Sequence, residues 1–165
     1  MACRCIRCRE VRGTPVDSGS LRLAVNRYDT SSSTEHFLSY ETREGMLAGF
    51  LRLSLPLREP VDVQSSAWDV LPEIAGAAMI RELHVYGPAL GIGKASAGEA
   101  QHLGLGRRLL VEARRRARAA GYDRLAVISA IGTRTYYERL GFTRGEFYMS
   151  ADLSDQSLAE EEMHE

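Results

Sequence analysis

The sequence predicts an α/β domain with a central mixed sheet flanked by helices. Three observations carry this. Alternating, apolar, strand-like segments fill the first half of the chain. One strongly amphipathic helical run follows a glycine-containing loop, and short strand-like runs around a second short helix complete the order. At 165 residues, 44% hydrophobic and 26% charged, the chain has the makings of one domain with a real core.

Residues 1–20 are a basic, cysteine-bearing segment and a polar connector. Residues 21–29 read as a strand and 30–34 as a turn of small polar residues. Residues 35–41 alternate around Phe37, Leu38 and Tyr40; Glu44-Gly45 marks a hairpin turn, and 46–55 is the apolar antiparallel partner. Residues 56–72 carry three prolines and read as a loop or insertion. Residues 77–86 predict a buried central strand, and 87–98, rich in Gly, Ala and Ser, a mobile connector. Residues 107–120 are the strongest helix. Leu109, Leu110, Ala113, Ala117 and Ala120 form its apolar stripe, Arg108, Arg114, Arg115 and Arg118 lie elsewhere around it, and Gly121 stops it. A buried strand is expected over 124–129, a helix over 133–140 and a last strand over 142–150. The acidic tail, 151–165, is expected to be a frayed helix or disordered. The division is thus 1–20, 21–150 and 151–165.

No run approaches the length of a transmembrane helix, and the start lacks the apolar core of a signal peptide, which predicts a cytoplasmic protein away from membranes. Net charge is −1 but unevenly spread: Arg4, Arg7, Arg9 and Arg12 face only Glu10 at the front, while the tail is acidic. Lys94 is the only lysine. That bias fits either codon usage or selection for bidentate phosphate contacts.

Chemistry concentrates in four places. In Gln101-His102-Leu103-Gly104-Leu105-Gly106-Arg107-Arg108, two glycines open a helix whose first-turn amides have no partner inside it. Those donors and the helix dipole suit a phosphate or pyrophosphate. No Gly-Lys-Ser/Thr follows Gly104, so this is not a nucleotide-hydrolase loop. Glu82 and His84 share one strand face, and either could accept a proton from an amine. Tyr136 and Tyr137 offer hydroxyls for general-acid work, or for packing. Cys3, Cys5 and Cys8 suit a tetrahedral zinc lacking one ligand, which His84, His36, His102 or an acidic residue would supply. A radical iron–sulfur cluster also takes three cysteines, at wider spacing; the plain alternative is a reduced terminal segment.

Gln101, Gly104 and Gly106 fill the pattern Gln/Arg-x-x-Gly-x-Gly/Ala, and Tyr137 to Phe142 reads Tyr-x-x-x-Gly-Phe. Together they resemble the GNAT acetyltransferase superfamily. The resemblance implies a mostly antiparallel mixed sheet splayed in the middle. It implies that Gln101, Leu103, Gly104, Leu105, Gly106, Arg107 and Arg108 grip the pyrophosphate of acetyl-CoA. Leu83 and Val85 would pair with the pantetheine arm, and the thioester would lie in a slot opened where residues 125–129 splay away. Tyr137 would protonate the departing thiolate, with Tyr136 a further candidate for substrate contact.

Further segments narrow the likeness: Arg4-Cys5-Ile6-Arg7-Cys8-Arg9-Glu10-Val11, residues 34–41, Ile80-Arg81-Glu82-Leu83-His84-Val85-Tyr86-Gly87, and Ala126-Val127-Ile128-Ser129 through Tyr137. These are similar to the acetyltransferase half of the catalytic subunit of the Elongator complex. That likeness implies acetyl-CoA supplying a two-carbon unit for carboxymethyl-type modification of the wobble uridine of tRNA. It also implies a zinc held by Cys3, Cys5 and Cys8, with His84 as fourth ligand, a role that competes with His84 as base. The radical S-adenosylmethionine domain of that family has no counterpart here, so the chain is an excised domain or a free-standing homologue. tRNA phosphates would meet the arginines of the 107–118 helix, Arg134 and the basic front. The rivals are a protein lysine or N-terminal acetyltransferase and an acetyl-CoA-gated RNA-binding module without turnover.

Overall fold

The computed structural model describes residues 3–12, 16–57, 71–86 and 104–154. The expectations for 58–70, the 87–98 connector, Gln101, Leu103 and most of the acidic tail lie outside the described residues. Seven strands form one sheet in the order β1-β2-β3-β4-β5-β7-β6. They are β1 (Arg22–Asp29), β2 (Ser33–Glu41), β3 (Leu47–Pro56), β4 (Ala78–Val85), β5 (Arg124–Val127), β6 (Thr143–Arg144) and β7 (Met149–Asp152). Every neighbouring pair is antiparallel except β4 and β5. Two α-helices accompany it, α1 (Leu105–Ala119) and α2 (Arg134–Arg139). This is the mixed, mostly antiparallel sheet that the sequence leads one to expect.

The β4–β5 pairing is short. It runs through Ala78↔Leu125, Met79↔Ala126 and Ile80↔Val127 and stops. Next to that point β4 carries a bulge: Arg52 faces Glu82 while Leu53 faces Ile80, so Arg81 is the extra residue. A bulge bends its strand and turns it away from a neighbour. Beyond that point the C-terminal half of β4 has no β5 partner, at the place where the sequence leads one to expect a splay.

Helix α1 covers one face of the sheet, reaching β2, β3, β4 and β5. Its Leu105, Leu109, Leu110, Ala113 and Ala117 join Leu38, Leu51, Leu53, Ile80 and Leu125 in the main core. A smaller cluster of Ile74, Ala77 and Ala126 holds Met79 and Tyr148. The cysteine segment also docks on the sheet. Val11 is buried and its amide donates to the Leu47 carbonyl, while Arg9 pairs with Glu41 at 3.4 Å.

Several sequence expectations need correction. α1 begins two residues earlier than expected, because Gly104 adopts a left-handed conformation (φ 63°) at its start and Gly106 sits inside the helix. Arg114 does not lie on the outer face. It is buried, donates to the Leu140 carbonyl and lies 5.2 Å over the Phe142 ring. Ala120, expected in the stripe, is the exposed C-cap. β5 ends at Val127 instead of Ser129, since beyond the splay β4 no longer pairs with it. The single last strand is a hairpin, β6 and β7, turned at Gly145 to Tyr148 and held by the Glu73 carboxylate, which accepts from the Phe147 and Tyr148 amides at 3.0 and 3.2 Å. Ala151 and Asp152 belong to β7, and Ala151 and Leu153 are core residues, so the tail is ordered at its root.

Leu109 is fully buried at the centre of α1, whereas Arg118 is exposed. Leu109→Ala should cost about 2–5 kcal/mol by loss of transfer energy and creation of a cavity. Arg118→Ala should stay within about 0.5 kcal/mol. Urea unfolding of the two variants checks the contrast.

Candidate active site

The open end of the splay is bounded by the C-terminal half of β4, the start of α1 and helix α2. Gly104 takes a backbone conformation that costs any residue with a Cβ about 1–2 kcal/mol, and this turns the chain into α1. The first helical hydrogen bond runs from the Arg108 amide to the Gly104 carbonyl at 3.0 Å. The amides of Leu105 and Gly106 precede it, so they have no partner within the helix. The Arg108 amide is used within the helix, which leaves its side chain as the group it could offer a ligand. Its guanidinium lies over the Tyr40 ring, 4.5 Å from the centroid. Leu105 turns its side chain into the core and Arg107 is half-buried in the same turn.

Gly106 is the closest meeting point of the site. A Cβ placed there would lie 2.6 Å from the Tyr136 hydroxyl and 3.7 Å from Val85 Cγ2. The second glycine of the Gly-x-Gly pair therefore admits a tyrosine hydroxyl from α2 and the β4 side chain at once. Tyr136 is 40% exposed, and burial of its remainder raises its pKa. Tyr137 is buried, edge-on to Phe142 at 5.4 Å and to Tyr136 at 5.3 Å. Burial, reinforced by Tyr136, pushes its hydroxyl up to about 12. Both phenols are thus protonated at neutral pH and able to donate.

Leu83 and Val85 are half-buried and pack against the main core beside α1. Glu82 and His84 share the opposite face, as alternation requires. Glu82 pairs with Arg52 at 3.8 Å in an exposed ion pair. His84 stacks on Phe50 at 5.9 Å and on Tyr86 at 4.6 Å. It is not among the thiol donors. Cys3, Cys5 and Cys8 bring their sulfurs within 4.8 Å of one another, and among the described residues no histidine or carboxylate joins that group. A 3₁₀ turn at Arg7–Arg9, with the Cys8 and Arg9 amides donating to the Cys5 carbonyl, folds the three together. Hydrogen bonding from the Cys8 backbone lowers the Cys5 thiol to about 7, while the Cys5 thiol raises Cys8 to about 11. Three converging sulfurs with one acidic thiol suit a thiolate-binding metal. Sequence reasoning missed the Tyr40–Arg108 stack; the alternation of β2 placed Tyr40 on a buried face but could not say what met it.

Gly106→Ala should destabilise the protein through the Tyr136 hydroxyl. In a Tyr136→Phe background the nearest obstruction becomes a ring carbon at 3.6 Å, an ordinary contact. The same substitution should then stabilise by up to about 1 kcal/mol from helix propensity. Thermal unfolding of the double-mutant cycle reads this sign reversal.

No protein-family model matches the chain. It is 41% identical to a tRNA uridine(34) acetyltransferase of Dehalococcoides mccartyi over 157 residues, covering 92% of this chain and 32% of that protein. It is 35% identical to Elongator complex protein 3 of Drosophila melanogaster over 162 residues, covering 94% and 28% respectively. Among solved structures, the archaeal Methanocaldococcus infernus Elp3 with an N-terminal deletion superposes with a TM-score of 0.70 at 34% identity, over 91% of this chain and 35% of that one. The chain spans about a third of the length of these curated relatives. Over that third it is similar to the tRNA uridine(34) acetyltransferases and Elongator complex protein 3.

Proposed function

We propose that this chain is an acetyl-CoA-dependent acyltransferase domain acting in modification of the wobble uridine of tRNA. One observation carries the reading: the Leu105 and Gly106 amides, presented by left-handed Gly104, stand beside Val85 at the open end of the β4–β5 splay. Amide donors at a helix start suit a diphosphate, and strand edges freed by a splay suit the amides of a pantetheine arm. Acetyl-CoA would supply a two-carbon unit as a thioester. Gln101, Leu103, Gly104, Leu105, Gly106, Arg107 and the Arg108 side chain would surround its diphosphate end, and Leu83 and Val85 its arm. The relatives named for tRNA uridine(34) supply the acceptor in this reading.

The residues divide the remaining work. Tyr136 Oη, beside the helix start, positions the cofactor. Tyr137 Oη, held protonated, donates the proton that a departing thiolate takes up. Glu82, on the other face, is the carboxylate available to take a proton from an acceptor, and it would have to leave Arg52 to do so. The carboxymethyl-type chemistry requires a radical step that these residues do not supply, so it would depend on a radical S-adenosylmethionine domain outside this chain. Cys3, Cys5 and Cys8 would hold zinc as a structural ion at the docked front of the sheet. His84 would reach it only by leaving its stack on Tyr86.

No helix among the described residues is long and apolar enough to cross a membrane. Cytoplasmic residence is part of this proposal.

Free-thiol release from acetyl-CoA, measured with and without tRNA, tests the function. Release that requires tRNA supports it; release on peptides alone favours a protein acetyltransferase, and tight tRNA binding with no release favours a binding module. Tyr137→Phe should lower kcat by about 10²-fold or more with KM nearly unchanged. Tyr136→Phe should instead raise KM for acetyl-CoA. Zinc measured on undamaged protein should approach one ion per chain and fall in Cys5→Ser; a substoichiometric value would count against the metal.

A further inference from the structure

At the far end of α1, about 15 Å along the helix from the proposed diphosphate turn, lies a separate concavity of about 470 Å³. Its floor is apolar, with Leu55, Pro56 and Ala119, and its charged side holds Arg27, His36 and Arg116. His36 is the informative residue. It sits on β2 directly opposite Arg27 on β1. Its side chain is nine-tenths buried, and its Nδ1 is buried without a hydrogen-bond partner. Such an orphaned atom costs about 1–3 kcal/mol; it is itself closed to solvent, so a ligand in the concavity meets His36 only through its other atoms.

The charges around the concavity come from three elements. β1 brings Arg27 and Asp29, which pair at 3.5 Å. α1 brings Arg115 and Arg116, both tied to Glu112, at 2.8 and 2.7 Å. β2 brings His36, while its neighbour Glu35 faces away and accepts from Ser33 and Ser54. Three guanidiniums thus meet two carboxylates, an excess of positive charge. The C-terminal dipole of α1 opposes an anion here, and Arg116 and Arg118 in the last turn offset it. Size decides the rest. A bare phosphate would leave most of the volume empty, whereas sites of roughly 300–1,000 Å³ with apolar walls and a few convergent polar groups hold small organic ligands.

We propose that this concavity binds one nucleotide, its phosphate on Arg27, His36 and Arg116 and its base against Leu55, Pro56 and Ala119. The site is distinct from the acetyl-CoA cleft and does not rest on that reading. A free mononucleotide and one nucleotide of an RNA strand share this chemistry.

NMR of the His36 ring in the full chain locates binding, with probes titrated at matched ionic strength. Uridine monophosphate, a short oligouridylate and inorganic phosphate are the probes. A saturable His36 shift with uridine monophosphate alone assigns a free nucleotide; a shift with the oligouridylate, with or without the monomer, assigns an RNA strand. Arg27→Gln and Arg116→Gln, both at the concavity's rim, should each weaken binding by about tenfold, one charge-assisted contact. No His36 shift with either nucleotide probe overturns the proposal. So does a shift that both arginine variants leave unchanged, or inorganic phosphate binding as tightly as the nucleotide.

Discussion

The end of one short parallel pairing governs this molecule. β4 and β5 are hydrogen-bonded over three residue pairs, and beyond Ile80 and Val127 they part. Parallel strands in the middle of a sheet normally continue until a loop ends them. Here the pairing ends at Ile80, next to the Arg81 bulge, so the C-terminal half of β4 has no β5 partner in the middle of the sheet. Everything attributed to acetyl-CoA depends on that opening: the exposed half of β4, the helix start aimed across it and the tyrosines of α2 behind it.

The core is arranged to hold the opening against collapse. α1 is anchored by Leu105 at its first residue, fully buried below the two amides that face the cleft. Arg114, inside the same helix, reaches across to the carbonyl of Leu140, the C-cap of α2, and so ties the two helices together. Gly106 lets them approach until the Tyr136 hydroxyl rests on the α1 backbone. A single methyl at that point would meet the Tyr136 hydroxyl at 2.6 Å, so that tyrosine would have to shift.

Much of this was legible in the chain. The alternation of 35–41 and the apolar run of 46–55 gave the β2–β3 hairpin, and the structure buries most of β2 and nearly all of β3 on both faces. Gly104 and Gly106 marked the helix start, since few other residues tolerate φ near +60° or so close a neighbour. The misses have physical causes. Arg114 looked like surface because sequence cannot show that a carbonyl at Leu140 awaits its guanidinium. The β6–β7 turn was invisible because Glu73, seventy residues earlier, supplies its cap. The family likeness implies His84 as the fourth zinc ligand; sequence could not show that its strand position also stacks it on Tyr86. His36 stood out only weakly, because burial and a missing partner are properties of the packed β1–β2–α1 corner and not of a residue type.

The central claim is that acetyl-CoA is held by the opening turn of α1. Backbone amide NMR on titration with CoA tests it most directly. The account predicts the largest shifts at Leu105 and Gly106, with Val85 following. Shifts confined to other regions, with those amides unmoved at saturation, would contradict it.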